Sequence, residues 1–318
     1  MSSSTFDNSD KIEIARLKHL KKQKKPMYVR AIRKASSMGL HAKKMVYQTV
    51  RGSRDETRRI LFIVGCQRSG TTMMTELFEQ DPDAIVFSEH SKLSSGDSHH
   101  RLRLNPLSSV KKTLDRSLFP LMVLKPLVEA QNVRMLLDYF PDSYALWMYR
   151  HYRDVAKSDL NRFGTLNGIR NLRYIAERNE NDWRAEGVSN EVQETVMRFY
   201  DDRLDPYEAA ALFWYARNRL YFELSLGEDH RVKLCQYEAL VKRPTHEMGS
   251  IYRFIGRRYP GENTPTAAVH TKSVGIGEKV TLRPEIEELC AALWGQLNEV
   301  QSLQPPACNQ TEREDYSA

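Results

Sequence analysis

The segment from Gly65 to Thr72, of sequence GCQRSGTT, contains the groups needed to hold an anion. Its two glycines, five positions apart, permit a tight loop whose backbone N–H groups converge at the start of a helix. Thr71 and Thr72 add hydroxyl donors. Arg68 adds a charged donor, worth about 1.5–3 kcal/mol when it is well placed. A plain helix cap would need neither the arginine nor the second glycine, so the segment predicts a phosphate-binding loop.

The charge pattern of this loop differs from that of a nucleoside-triphosphate loop, which reads GxxxxGK[ST]. Thr71 occupies the lysine position, and the cation has moved back to Arg68. Nothing in the pattern then requires a magnesium ion, so we predict a site without a metal. A P-loop kinase is the alternative enzyme, and it would need both the lysine and a magnesium site.

A second pair of residues, Arg150 and Ser158, lies eight positions apart directly after the apolar run 145–149. Together with GxxRSGTT, this pair resembles the superfamily of sulfotransferases that use 3'-phosphoadenosine 5'-phosphosulfate (PAPS). The resemblance covers roughly residues 58–300. It implies that Arg150 and Ser158 bind the 3'-phosphate of PAPS. It also implies that the 5'-phosphosulfate is bound by Arg68, Ser69, Gly70, Thr71 and Thr72.

The same resemblance implies two catalytic residues. Glu89 lies 21 residues after Arg68, a spacing similar to that of the tyrosylprotein and carbohydrate sulfotransferases rather than the cytosolic aryl enzymes. It is expected to remove the proton of an acceptor hydroxyl, a role worth about 10²–10⁴ in rate. The neighbouring His90 is the competing base. Lys125, which precedes Pro126, is expected to stabilise charge on the leaving group.

Further positions match the family less closely. Tyr237, in the segment YEAL, is expected to reach the adenine, and Glu238 could orient backbone or arginine groups. Arg153 is a weaker cofactor candidate, because Asp154 could neutralise it. The loop 272–279 (KSVGIGEK) stands where the family has a late cofactor or substrate loop, but it departs from the form RKGxxGxW.

Short apolar runs alternate with helical patterns over the main part of the chain. Strands are predicted at 60–64, at 145–149 and at 231–236; helices are predicted at 127–140, at 207–226, after Pro244 and from Pro284. Alternation of this kind predicts an α/β fold, P-loop-like and three-layered, with a mainly parallel central sheet flanked by helices. The polar segment 160–206 is interpreted as surface helices and loops over the site.

Positive charge is concentrated at the start of the chain. Residues 1–59 contain 16 Lys/Arg and 5 Asp/Glu, so the other 259 residues carry a net charge of −4. We therefore divide the chain into a basic, helical N-terminal extension (1–57) and a sulfotransferase domain (58–318). Within the extension, helices are predicted at 11–25 and 27–50. No nucleic-acid partner is expected, because the main domain is not basic.

The basic N-terminal stretch is interpreted first as a solvated or packing helix. Peripheral contact of residues 11–59 with an anionic membrane surface or an acidic partner is the alternative. The non-enzymatic alternative is an adaptor that acts through this segment. No apolar run approaches the roughly 20 residues of a membrane span, and no secretory signal is present. Four scattered cysteines suggest reduced thiols in a cytoplasmic protein. They are Cys66, Cys235, Cys290 and Cys308.

The acceptor is the least specified part of the predicted reaction. A hydroxyl-bearing carbohydrate, lipid or small molecule is expected, with an amine as the weaker option. Residues 92–110 and 160–206 are expected to decide among them. Neither the oligomeric state nor the identity of the acceptor is indicated by any motif.

Overall fold

Five parallel strands form the central sheet in this computed structural model, which describes residues 27–51, 57–96, 102–261, 269 and 271–304. In chain order, the strands are β1 (Arg59–Gly65), β2 (Ala84–Phe87), β3 (Ser94–Gly96), β4 (Leu102–Leu104), β5 (Leu121–Leu124), β6 (Ser143–Tyr149) and β7 (Val232–Gln236). The sheet has the order β2-β5-β1-β6-β7, and β3 pairs with β4 separately in an antiparallel manner.

Helices cover both faces of this sheet. In chain order, they are α1 (Met27–Arg51), α2 (Thr71–Phe78), α3 (Leu107–Asp115), α4 (Val133–Tyr139), α5 (Tyr152–Phe163), α6 (Asn167–Ala176), α7 (Asn190–Phe199), α8 (Pro206–Glu223), α9 (Tyr237–Lys242), α10 (Pro244–Phe254) and α11 (Pro284–Leu303). Short 3-10 helices occur at Leu127–Asn132, Leu226–Glu228 and Thr271–Ser273.

The apolar run of β1 shows why the fold has three layers. Leu61 and Ile63 pack into the core that contains α2 and α10, whereas Phe62 and Val64 pack into the core that contains α8 and α11. All four side chains are fully buried. A strand buried on both faces suits a parallel sheet between two helical layers. The predicted α/β class is thereby confirmed.

Most predicted elements occur close to their expected positions. The helix predicted at 207–226 is α8, whose N-cap Asp205 accepts hydrogen bonds from the backbone N–H groups of Tyr207 and Glu208. The continuous helix predicted at 127–140 is wrong, because its first half is the 3-10 helix Leu127–Asn132. The predicted helix at 11–25 lies outside the described residues.

The predicted N-terminal helix is present as α1, and one of its faces docks on the chain beside β2. Lys44 Nζ donates a 2.8 Å hydrogen bond to the carbonyl of Ala84, and Arg51 forms an ion pair with Asp83. Along the other face, large apolar side chains are exposed at Met38, Val46, Tyr47 and Val50. Over the described residues, no helix is long and apolar enough to cross a membrane.

Candidate active site

A cavity of about 580 Å³ opens where β1, β2, β5 and β6 end. Ligands in parallel α/β sheets bind at this carboxyl edge. Nine of the ten predicted site residues line the cavity: Arg68, Gly70, Thr71, Thr72, Glu89, Lys125, Arg150, Ser158 and Tyr237. Ser69, the tenth, is fully buried within the loop. The positions predicted from the two signatures therefore come together in one place.

The loop after β1 has the tight geometry that its glycines permit. Gly70 has a φ of 91°, in the left-handed region, and it directly precedes α2. A Cβ at Gly70 would lie 2.2 Å from Cδ2 of Tyr237. Only glycine at position 70 therefore leaves room for the tyrosine ring. Arg68 also has a positive φ, of 68°. The loop thus brings Arg68 and the start of α2 to the same side of the cavity.

Two arginines and a serine connect the loop to the end of β6. Arg68 Nε donates a 3.1 Å hydrogen bond to Ser158 Oγ, and Arg150 Nη1 lies 3.4 Å from the carbonyl oxygen of Arg68. The guanidinium of Arg150 lies over the Tyr237 ring, 4.6 Å from its centroid. Burial lowers the pKa of Arg68; the charge of Asp159 opposes this shift, whereas nearby arginines reinforce it. Cations gathered in this way favour a bound anion.

Asp154 ties the late loop to the site. Its carboxylate accepts hydrogen bonds from the backbone N–H groups of Gly275 (2.9 Å) and Gly277 (2.7 Å). The same carboxylate lies 3.4 Å from Nη2 of Arg150. Arg150 also donates a hydrogen bond to the carbonyl oxygen of Ser273. The loop 272–279 is therefore fastened over the cavity through Asp154 and Arg150.

Glu89 and Lys125 form the second half of the site. Lys125 Nζ lies 2.9 Å from Oε2 of Glu89 and donates a 2.8 Å hydrogen bond to Thr72 Oγ1. Only 4% of Lys125 is exposed, whereas 21% of the Glu89 side chain is accessible. His90 also lines the cavity. A carboxylate, an ammonium and the start of α2 thus meet at one point.

The remaining predicted residues have structural contacts. Glu238 accepts a 3.0 Å hydrogen bond from the backbone N–H of His151, and burial raises the pKa of this carboxyl. Arg153 does not line the cavity but forms a 2.6 Å ion pair with Glu287. The expected neutralisation of Arg153 by Asp154 is therefore wrong, because Asp154 faces Arg150 and the late loop.

Several cavity residues have no counterpart in the sequence-based assignments. Ser273 lines the cavity and hydrogen-bonds Tyr237. The segment 160–206, predicted to lie over the site, also contributes Arg162, Phe163, Asn167, Arg170, Asn171, Trp183 and Arg184 to the lining. A signal for three of them exists in the sequence: Asn167, Arg170 and Asn171 follow the spacing of one helical face.

The donor groups fit a ligand with two separated phosphates. Ser69 Oγ and Arg150 Nε are buried and have no hydrogen-bond partner among the described residues. Buried polar atoms of this kind are costly unless a ligand or water satisfies them. One lies in the loop after β1 and the other after β6. Over the described residues, no cluster of three or more His, Cys, Asp or Glu side chains is arranged to hold a metal ion.

Comparisons of sequence and of structure relate this chain to known proteins. The sequence pattern of the sulfotransferase domain family matches residues 58–273. The sulfotransferase domain of the curacin biosynthetic pathway is similar in fold (TM-score 0.50, 15% identity, 77% of this chain and 99% of that chain covered). The sulfotransferase domain of the Synechococcus PCC 7002 olefin synthase matches with a TM-score of 0.47, at 15% identity over 78% of this chain and 97% of that one.

A mouse sulfotransferase, SULT7A1 complexed with PAP, matches at 12% identity with a TM-score of 0.32, covering 82% of this chain and 70% of that chain. No curated protein shows significant sequence similarity to the chain. At these identities, the structural likeness concerns the fold alone.

Proposed function

The chain belongs to the sulfotransferase domain family, and from this premise we propose that it transfers a sulfonate from PAPS to the hydroxyl of an acceptor, with Glu89 as the general base. One observation carries the proposal beyond the family. The carboxylate of Glu89, the ammonium of Lys125 and the hydroxyl of Thr72 form a connected group inside the cavity. The residue proposed to remove the proton, Glu89, is therefore in direct contact with the residue proposed to stabilise charge, Lys125.

We assign the binding of PAPS to two groups of residues, one in the loop after β1 and one after β6. PAPS supplies a sulfonate attached to a phosphate that leaves readily. The loop of Arg68, Ser69, Gly70, Thr71 and Thr72 is proposed to hold the 5'-phosphosulfate. Arg150 and Ser158 are proposed to hold the 3'-phosphate. The buried Ser69 Oγ and Arg150 Nε support both assignments, because each has hydrogen-bonding capacity that a phosphate would satisfy.

The base is proposed to work through its shared cation. An ammonium has three N–H donors, and anions on two sides of it compete for them. A negative group bound beside Thr72 therefore weakens the hold of Lys125 on Glu89 and leaves the carboxylate available to an acceptor hydroxyl. Lys125 then lies beside the phosphate that leaves, which gains negative charge in the transition state. A fixed cation at this point lowers the activation barrier. Donor binding and base release are coupled in this arrangement.

Replacement of the base tests the proposal. Glu89→Gln is expected to lower turnover by about 10²–10⁴, while the Kd for adenosine 3',5'-bisphosphate stays within about threefold of the wild-type value, since the phosphate-binding groups are untouched. His90→Asn tests the competing base, and Glu194→Gln, an exposed carboxyl on α7, is the matched control. Labelled donor and a panel of hydroxyl compounds, followed by mass spectrometry, measure turnover. Full activity in Glu89→Gln would refute the assignment.

Binding measurements separate this function from the two alternatives. A sulfotransferase binds adenosine 3',5'-bisphosphate without magnesium, whereas a P-loop kinase would bind ATP with magnesium. Thr71, in the position of the kinase lysine, leads us to expect no ATP binding. An adaptor acting through residues 11–59 would lose its activity when this segment is deleted. Donor binding by the remaining chain is expected to persist.

A further inference from the structure

One wall of the cavity is polar and positively charged. Asn167, Arg170 and Asn171 line it from one face of α6, at positions i, i+3 and i+4. Trp183 and Arg184, from the segment after α6, complete the wall. None of these residues belongs to the loop after β1 or to the Arg150–Ser158 pair. The wall adjoins that pair, because Asn167 donates hydrogen bonds of 3.1 and 3.0 Å to the carboxylate of Asp159, the residue after Ser158.

Arg184 is held rigidly in this wall. Its Nη1 lies 2.8 and 3.0 Å from the two carboxylate oxygens of Asp182, and its Nε donates a 2.7 Å hydrogen bond to Asn171. Its guanidinium also lies over the rings of Tyr174 and Trp183, at 4.8 Å from each centroid. A guanidinium fixed on all sides keeps its charge at one place in the wall.

The wall is connected to the part of the cavity that follows Lys125. Arg217 bridges it to the 3-10 helix after Lys125, by donating to the carbonyl of Trp183 (3.1 Å) and to Gln131 Oε1 (2.8 Å). This 3-10 helix contributes Leu127 and Val128 to the cavity. The charged wall is thus joined to the element that follows the catalytic lysine.

Like charges gather along this lining. Six cationic side chains line the cavity against one carboxylate, that of Glu89; they are Arg68, Lys125, Arg150, Arg162, Arg170 and Arg184. Asp154 and Asp182 pair with two of the six, Glu89 pairs with Lys125, and the buried carboxylate of Asp159 opposes the charge of Arg68. Positive charge is still in excess along the lining. Burial lowers the pKa of Arg184, and the positive charge of Arg170 lowers it further against the opposing effect of Asp182.

We propose that the acceptor carries a negatively charged group, a carboxylate or a sulfate or phosphate ester, in addition to its hydroxyl, and that Arg170 binds this group. The inference rests on the proposed sulfotransferase function. Arg184 adds a fixed positive charge to the same wall, and Asn171, whose Oδ1 accepts from Arg184, lines the cavity beside them. The amide N–H groups of Asn167 donate to Asp159. The neighbouring Leu127 and Val128 contact the uncharged part of the acceptor. Arginine is suited to this role because its planar group binds carboxylate and phosphate oxygens in pairs.

Matched pairs of ligands test the charge requirement. Hydroxy acids and their methyl esters are titrated calorimetrically into the protein saturated with adenosine 3',5'-bisphosphate. Acids are expected to bind at least about tenfold more tightly than their esters, as a charge-assisted hydrogen bond predicts. Sulfate and phosphate monoesters of diols, beside the parent diols, distinguish the three anionic groups. A series in which no charged compound binds more tightly than its neutral partner, including one in which nothing binds, overturns the inference.

Variants identify the residue. Arg170→Met is expected to weaken the binding of the acids by about 10- to 100-fold and to leave that of the esters unchanged, whereas Arg170→Lys retains part of the preference. Arg198→Met, an exposed arginine on α7 away from the cavity, is the matched control. Equal weakening of acids and esters would show a structural role for Arg170 and overturn the assignment.

The nucleotide titration is performed first and keeps the two proposals distinguishable. If the wild-type protein does not bind adenosine 3',5'-bisphosphate, the proposed function fails. The ligand pairs are then titrated into the nucleotide-free protein, and the same preference for acids decides the inference about Arg170.

Discussion

Lys125 and Glu89 form a 2.9 Å ion pair across the ends of two neighbouring strands. β5 and β2 pair in parallel with Leu124 opposite Phe87, so the residues that follow them leave the sheet side by side. The backbone N–H of Lys125 donates to the carbonyl oxygen of Phe87, which extends this alignment. A register set by apolar strand residues thereby places a cation against a carboxylate in the cavity.

This ion pair leads to a prediction for Lys125. Lys125→Met is expected to lower kcat by at least about 10², because the buried ammonium that faces the leaving side is lost. Lys125→Arg keeps the charge but not the compact shape, so an intermediate rate is expected. Single-turnover assays with labelled donor measure the step itself, and nucleotide binding by calorimetry serves as the control. A kcat within about threefold of the wild-type value would contradict the proposed role.

Gly70 is expected to be irreplaceable at the loop. Gly70→Ala places a methyl group against the Tyr237 ring and strains a residue with φ of 91°. Both effects move the loop, so we expect a loss of about 1–3 kcal/mol in unfolding free energy and at least tenfold weaker nucleotide binding. Denaturant unfolding and calorimetry measure the two quantities.

Gly295 provides the matched control for this substitution. It lies inside α11, and nothing lies within 4 Å of a Cβ built there. Gly295→Ala is expected to stabilise the protein by about 0.5–1 kcal/mol through helix propensity. If both alanines had the same effect, the close packing of Gly70 against Tyr237 would not be the cause.

Asp154 is expected to support the cofactor site without touching the ligand. Asp154→Asn removes the negative charge that faces Arg150. It also replaces one of the two carboxylate oxygens that accept hydrogen bonds from Gly275 and Gly277. We expect the Kd for adenosine 3',5'-bisphosphate to rise by about tenfold, as for the loss of one charged hydrogen bond. Calorimetry measures the Kd, and limited proteolysis measures opening of the loop. Unchanged values in both would show that the late loop is held by other contacts.

The residues proposed to bind the two phosphates could be found from the sequence because each group of them is local. Gly70 and Arg68 belong to one loop after one apolar strand, and Arg150 and Ser158 to one strand-to-helix turn. Strand, loop and helix are each signalled by neighbouring residues. The parallel arrangement then brings the two strand ends together, since β1 and β6 are adjacent.

Contacts between distant segments could not be predicted in the same way. Arg153 pairs with Glu287, 134 positions away, and no local pattern distinguishes this partner from the adjacent Asp154. The charged wall could not be predicted for the same reason. Arg184 contacts Asn171 of α6 only because the chain between them turns back. The 3-10 conformation at Leu127–Asn132 could not be predicted from the periodicity of apolar residues either, because their spacing is also compatible with an α-helix.

The buried cysteines are expected to be unreactive in the folded protein. Burial raises the pKa of Cys66 and of Cys235 to about 12, and it also raises the pKa of Cys290. At pH 8, a thiol with that pKa is ionised to only about one part in ten thousand, and the thiolate is the reactive form. Iodoacetamide is expected to label these three positions only after denaturation, as peptide mass spectrometry would show. Rapid labelling in the native state would contradict their burial.

Contact of residues 11–59 with an anionic membrane remains a prediction, and the exposed face of α1 gives it a precise test. Val46 and Val50 are 63% and 82% exposed on this face, and Lys43 is exposed beside them. Apolar side chains flanked by cations suit the surface of a membrane rich in phosphatidylserine. Vesicle sedimentation is expected to retain the wild-type protein on such vesicles but not on phosphatidylcholine vesicles.

Paired variants separate the two contributions to membrane binding. Val46→Ser with Val50→Ser is expected to weaken binding at every salt concentration, because apolar burial is lost. Lys43→Gln is expected to weaken it mainly at low salt, where the attraction to anionic lipid is least screened. Met135, exposed on α4 away from this helix, provides the control substitution Met135→Ser. Equal binding to neutral and anionic vesicles would exclude this face as the contact, and so would an unchanged affinity of the Val46→Ser, Val50→Ser variant. A surface that binds through apolar burial and through charge must respond to the loss of each.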